Sequence, residues 1–188
     1  MRKIIYTTLS LALCCGVAFA ETQLRLPVSF NPDDTVNRPF NYRQWVNVGT
    51  TLIPKGTVNI IDGLAIKSNE YIDTYVEPKS FAIYMATGNW PNGTQIVKEF
   101  TALKTAKPGE VTTESHYNGL ALLVKDTERF SEETGYLGYF NFGHHREPYE
   151  MRSSLMPREQ CSACHEASAS HQQFIFSDHH IGLKKAAD

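Results

Sequence analysis

Cys161, Cys164 and His165 carry the clearest chemistry in this sequence. They read C-x-x-C-H, the attachment signature of a c-type haem. Two thiols three positions apart can each form a thioether with one haem vinyl group. On a helix, positions i, i+3 and i+4 share a face, so all three side chains can reach one porphyrin. His165 then offers a ring nitrogen to the iron. Other uses of the same residues are a short disulfide, a thioredoxin-like redox pair or part of a zinc site. No strand-to-helix βαβ pattern accompanies the motif, and no second ligand pair stands at zinc-finger spacing. The chain has four cysteines, and the other two, Cys14 and Cys15, fall in a segment expected to be removed.

That segment is the first twenty residues. Arg2 and Lys3 give a basic start, Ile4 to Val17 is mostly apolar, and Ala18-Phe19-Ala20 is an A-x-A cleavage site. The apolar run is short for a membrane span, which takes ~20 residues. Leu13 and Cys14 are poor lipobox residues, so a soluble exported protein is expected, and with it a periplasmic location. Cleavage removes 20 of the 188 residues and leaves 21–188 as one domain, large enough for a core. Loss of Arg2 and Lys3 moves the formal net charge from −2 to −4. No basic patch suggests nucleic acid, and nothing later in the chain is long and apolar enough to cross a bilayer.

The elements that must position the motif read as follows. Glu21 to Asn37 is an extended arm. Pro39 to Val48 has Tyr42, Trp45 and Val46 at helical spacing with Gly49 as a stop, which predicts a first short helix. Thr57–Ile61 and Glu70–Glu77 are expected strands. Pro78 opens a helix to about Ala86, followed by Gly88. Thr94 to Thr101 alternates, with Ile96, Lys98 and Phe100 on one face. Lys98 thus falls on the more apolar face. Either this is an edge strand from which the amine snorkels to water, or the amine is buried and must be paired or neutralised.

Ala102 to Glu114 is expected as a loop or hairpin, Leu120–Val124 as a short strand, and Tyr136–Phe142 as an aromatic strand. There Tyr136, Phe140 and Phe142 share a face with Gly138, either a wall for a flat cofactor or ordinary β core. Residues 143–157 form a loop, in which His144 and His145, like the pair His179 and His180, are either metal ligands or solvated side chains. Pro157 opens the motif helix, and Gln172–Lys185 is expected as a last helix. Strands in the middle and helices at the ends predict α+β, an antiparallel β-sheet with flanking helices, the haem attached through a C-terminal helical C-x-x-C-H.

Several stretches resemble the cytochrome P460 family, which includes the cytochromes c′-beta. They are Asn41-Tyr42-Arg43-Gln44-Trp45-Val46-Asn47-Val48-Gly49-Thr50, Tyr75-Val76-Glu77-Pro78, Gly93-Thr94-Gln95-Ile96-Val97-Lys98-Glu99-Phe100, and Cys161 to His165. The resemblance implies one haem c held by Cys161 and Cys164, with His165 on the iron and the opposite face open to a small nitrogenous or gaseous ligand. It also implies a homodimer. In the P460 branch a lysine of the V-K-E stretch, here Lys98, is joined to the haem ring. The family's enzymes oxidise hydroxylamine to nitrogen oxides and pass electrons to a soluble acceptor. The c′-beta branch lacks the crosslink and binds gases such as nitric oxide behind an apolar cap, for which Phe81, Phe100 and Phe140 are candidates. Ile72 stands where well-known members carry an arginine. For the distal carboxylate of the active members the candidates are Glu150 and Glu159. A simple electron-transfer role would require a sixth ligand, with Met85, Met151 or Met156 as candidates.

Overall fold

The computed structural model describes residues 26–59, 63–145 and 147–184. The expected signal segment and the end of the expected last helix lie outside them. Five strands form one antiparallel sheet in sequence order: β2 (Val46–Ile53), β3 (Glu70–Val76), β4 (Gln95–Leu103), β5 (Glu114–Lys125) and β6 (Leu137–His144). Two short strands, β1 (Val36–Asn37) and β7 (Arg152–Ser153), pair separately. Two helices complete the set, α1 (Pro78–Thr87) between β3 and β4, and α2 (Ser162–Ala169) carrying the motif. The architecture is the expected α+β one. Among the described residues no helix is long and apolar enough to cross a membrane.

Strand alternation divides the apolar side chains into two cores. One face of the sheet presents Val48, Val76, Ile96, Leu123 and Tyr139, covered by Trp90, Ile175 and Leu183. The other presents Val97, Leu122, Val124, Phe140 and Phe142, covered by Val36 and Tyr42 from the N-terminal arm. A buried charge also lies on the second side. Arg43 makes a paired contact with the Glu99 carboxylate of β4, whose side chain is 5% exposed.

Several expectations are corrected. The helix expected over Pro39–Val48 is a single 3-10 turn, Tyr42–Gln44, after which the chain enters β2. The run Val46 to Ile53 is rich in β-branched residues and pairs along its length with β3, and that pairing overrides the local helical spacing. The strand expected over 57–61 is reduced to one bridge, Val58 to Ala65, with 60–62 outside the described residues. β5 is much longer than Leu120–Val124, since it reaches back to Glu114. In place of the last helix the described residues form short 3-10 turns, Ser170–Gln172, Ser177–His179 and Ile181–Leu183. α1 matches its expectation. The Glu77 carboxylate caps it by accepting from the amides of Lys79 and Ser80, Pro78 occupies its first turn, and Gly88 ends it at φ 74°.

Candidate functional site

A cavity of about 380 Å³ lies between the first face of the sheet and the C-terminal turns. That size falls within the ~300–1,000 Å³ of cofactor and ligand pockets. Its floor is strand: Ile72, Thr74 and Val76 from β3, and Ile96, Lys98 and Phe100 from β4. The haem motif and the C-terminal turns close it.

Cys161, Cys164 and His165 all line this cavity. Cys161 stands at the N-terminus of α2, and both thiols are free. The His165 ring is held between Tyr139 and Phe176, each with its centroid 4.8 Å away. His165 Nδ1 lies 2.7 Å from the Phe174 carbonyl oxygen. A carbonyl only accepts, so Nδ1 carries the hydrogen and donates, and Nε2 keeps its lone pair. Burial pushes the ring's pKa down to about 4, with nearby Lys98 adding to the effect. A neutral imidazole with a bare Nε2 and an oriented Nδ1–H is what iron ligation requires.

The Phe174 carbonyl is aimed by an unusual piece of backbone. Gln173 and Phe174 both have positive φ, 57° and 62°. Such conformations cost of order 1 kcal/mol or more and persist where surrounding contacts hold them. Here the Gln173 amide side chain provides the hold, accepting from the Trp90 amide at 3.0 Å and donating to the Gly88 carbonyl at 2.8 Å. The turn after α1 therefore orients the His165 ring. α2 itself is tied down by Arg158, which spans Glu166 and Glu133.

Lys98 occupies the middle strand of the sheet, opposite Thr74 on β3 and Ala121 on β5. The edge-strand alternative is thereby excluded, and the half-buried side chain faces the cavity. Desolvation lowers its pKa, opposed by the nearby Cys164 and Cys161 thiols. Desolvation therefore acts toward the neutral amine, the form with a lone pair. Ala121 leaves room on one side of it. Two buried hydroxyls on the cavity wall, Thr74 Oγ1 and Tyr139 Oη, have no partner among the described residues. Thiols, imidazole, amine and these hydroxyls around one mostly apolar space fit a haem.

The remaining candidates separate. Glu150 and Glu159 are exposed and do not line the cavity. The carboxylate that does is Glu70, fully buried at the start of β3, where its Oε1 accepts from His144 Nε2 at 2.9 Å. The His144 side chain is only 7% exposed, so the solvated-loop reading is wrong for it. His180 also lines the cavity, buried, while its neighbour His179 is exposed. Ile72 does face the cavity, which leaves that place apolar. Phe100 contributes a ring there. Phe81 packs against the first core without lining the cavity. Phe140 and Phe142 pack into the opposite core; of the two only Phe140 also borders the cavity, beside Tyr139. Met156 reaches the cavity, Met85 does not, and Met151 is exposed. Sequence reasoning missed Glu70 as a site residue. Its signal was a carboxylate in the strand whose alternate residues, Ile72, Thr74 and Val76, face the cofactor space.

The family model for cytochrome P460 matches residues 39–177, from the first turn to beyond the motif. The chain belongs to the cytochrome P460 family. Its members are haem proteins of the P460 and c′-beta kind, and the cavity just described is where such a cofactor fits this chain. The comparison with curated proteins gave no match.

Proposed function

We propose that this cytochrome P460 family member is an exported, periplasmic c-type haem protein that oxidises hydroxylamine or a related small nitrogen species. One observation carries the reading: Lys98, a desolvated amine at the centre of the sheet, opens on the same cavity as Cys161, Cys164 and His165. In this reading the two cysteines carry the haem by thioethers, His165 Nε2 ligates the iron, and Lys98 Nζ is bonded to the ring. Forming that N–C bond removes one hydrogen from Nζ and one from a ring carbon, so it requires a two-electron oxidant such as a peroxide. Bound haem would supply an iron that takes the substrate's nitrogen and accepts its electrons.

The chain's own residues supply the rest. His165 is held neutral and oriented by the Phe174 carbonyl. Ile72, Phe100 and Ala121 keep the space above the sheet apolar and limit water. Hydroxylamine loses protons and electrons in equal number on its way to a nitrogen oxide, so a base must be within reach. The Glu70–His144 pair at one end of the cavity offers a carboxylate-backed imidazole for this. Electrons leave to a soluble acceptor. By family resemblance the working form is a homodimer.

The apolar lining favours a second reading, a c′-beta-like protein that binds nitric oxide without turnover. Peptide-mapping mass spectrometry on periplasmically matured protein separates the two. The expected result is one haem peptide joining Lys98 to Cys161 and Cys164, with hydroxylamine turnover that falls at least tenfold in Lys98→Met. A free Lys98 peptide, with haem on the cysteines alone, would move the assignment to the gas binder. Absence of haem from both cysteines would refute both.

A further inference from the structure

The end of the cavity formed by β3 and β6 holds more than one base. We propose that Glu70, His144 and His145 form a binding site for a divalent transition-metal ion, opening onto the cavity. Glu70 Oε1 lies 2.9 Å from His144 Nε2, and Glu70 Oε2 lies 3.9 Å from His145 Nδ1. One ligand atom from each residue falls within 4.8 Å of the others. Atoms held at 2.0–2.2 Å from a common zinc ion sit about 3.4 Å apart in a tetrahedral shell. Binding therefore requires the 2.9 Å pair to open and the wider spacings, up to 4.8 Å, to close toward that value.

Two features argue that the cluster is built rather than incidental. The first is the backbone. In a regular strand His144 and His145 would point to opposite faces. His145 instead has φ 64°, a left-handed conformation, and its ring folds back to stack on His144 with centroids 3.6 Å apart. Both imidazoles are thereby brought to one carboxylate. The second is the scaffolding. The Asn118 amide nitrogen donates to Glu70 Oε2 and lies 2.8 Å from His145 Nδ1. Phe100 stacks on the other imidazole at 3.9 Å, and the Asn59 amide lies 3.4 Å from His144 Nδ1. Glu70 is itself fixed between Ile53 on β2 and Ala102 on β4.

The donor set selects the ion. Two imidazoles and one carboxylate suit Zn(II), Fe(II), Co(II) or Ni(II), whereas Mg(II) and Ca(II) favour all-oxygen shells. A divalent ion also compensates the negative charge of a carboxylate that is fully buried. Three protein ligands leave coordination positions toward the cavity. Loaded and unloaded forms would differ in chemistry, since His144 can accept a proton only when no ion holds its Nε2.

Calorimetric titration of chelator-treated mature protein with Zn(II), with zinc counted per chain by elemental analysis, tests the proposal. One zinc per chain is expected in addition to haem iron. Glu70→Gln and His145→Asn should each weaken binding at least 100-fold, and His116→Gln, a substitution at an exposed position, should leave it unchanged. Asn accepts positive φ, so His145→Asn keeps the test decisive should Glu70→Gln fail to fold. No zinc uptake by the wild type, or equal uptake by His145→Asn, would overturn the site. Zinc is counted per chain whatever the haem content, so this result stands apart from the fate of the haem reading.

Discussion

His180 should make the fold acid-sensitive in a measurable way. Its ring lies against Gly49 of β2, where an added Cβ would stand 3.2 Å from His180 Nδ1. The residue is 7% exposed and lines the cavity. Burial pushes its pKa from 6.5 down to about 4, with the like charge of Lys98 assisting. Between those two pH values the unfolded chain holds a proton on this ring and the folded chain does not. Stability is therefore present in full above about pH 6.5 and falls as pH drops toward 4. At ~1.4 kcal/mol per pH unit, the loss from this one group between pH 7.5 and 4.5 is about 2.5 kcal/mol. A His180→Leu variant has no such proton to release. Urea unfolding of both proteins at the two pH values gives the comparison, with each serving as its own reference for packing changes. The wild type should lose about 2.5 kcal/mol more than the variant. Equal losses would show that His180 is not a neutral buried imidazole in the native state.

Two further substitutions test the scaffold. Arg43→Met removes the guanidinium from Glu99, leaving a carboxylate 5% exposed in the second core. The expected cost is about 2 kcal/mol by urea denaturation, reduced from the range for fully buried pairs because Arg43 is largely exposed. Gly119→Ala places a Cβ 2.1 Å from the Gly143 carbonyl oxygen at φ 133°, next to the bulge where β5 meets β6. It should lower stability by about 3 kcal/mol through strain and overpacking, read as a lower denaturation midpoint.

The thiol-imidazole end of this cavity was legible in the sequence because its residues are adjacent. Cys161, Cys164 and His165 declare themselves by spacing alone. Alternation around Lys98 also put Ile96, Lys98 and Phe100 on one face correctly. What alternation could not show was the strand's place in the sheet, since an edge and a centre strand can share a pattern. The structure decides that by pairing β4 on both sides. The helix expected over Pro39–Val48 failed for a related reason. Tyr42, Trp45 and Val46 have helical spacing, but Val46 onward has a long-range partner in β3 that no local window contains. The Glu70 cluster was hidden more deeply. Its members come from residues 70, 118, 144 and 145, joined only by strand register and by one left-handed residue that reverses the side expected for His145.

Those two chemistries are connected by a single strand. Ile96, Lys98 and Phe100 are successive side chains on one face of β4. Lys98 is within electrostatic reach of Cys161, Cys164 and His165, and Phe100 stacks on His144. Two residues of strand advance only ~6.6 Å, so the thiol end and the carboxylate-imidazole end are set at a fixed separation by sheet geometry. Loops do not set it. A change at Phe100 should consequently be felt at His144 before it is felt at the motif. Truncation by Phe100→Ala removes the ring that His144 stacks on, yet leaves Lys98, its cross-strand neighbours Thr74 and Ala121, and the α2 anchor untouched. Haem attachment to the cysteines should survive in that variant, measured by haem-stained denaturing gels. Zinc affinity should fall about tenfold, the scale seen when support around a metal ligand is lost. Loss of haem attachment with zinc affinity intact would mean that the strand does not divide the cavity in this way.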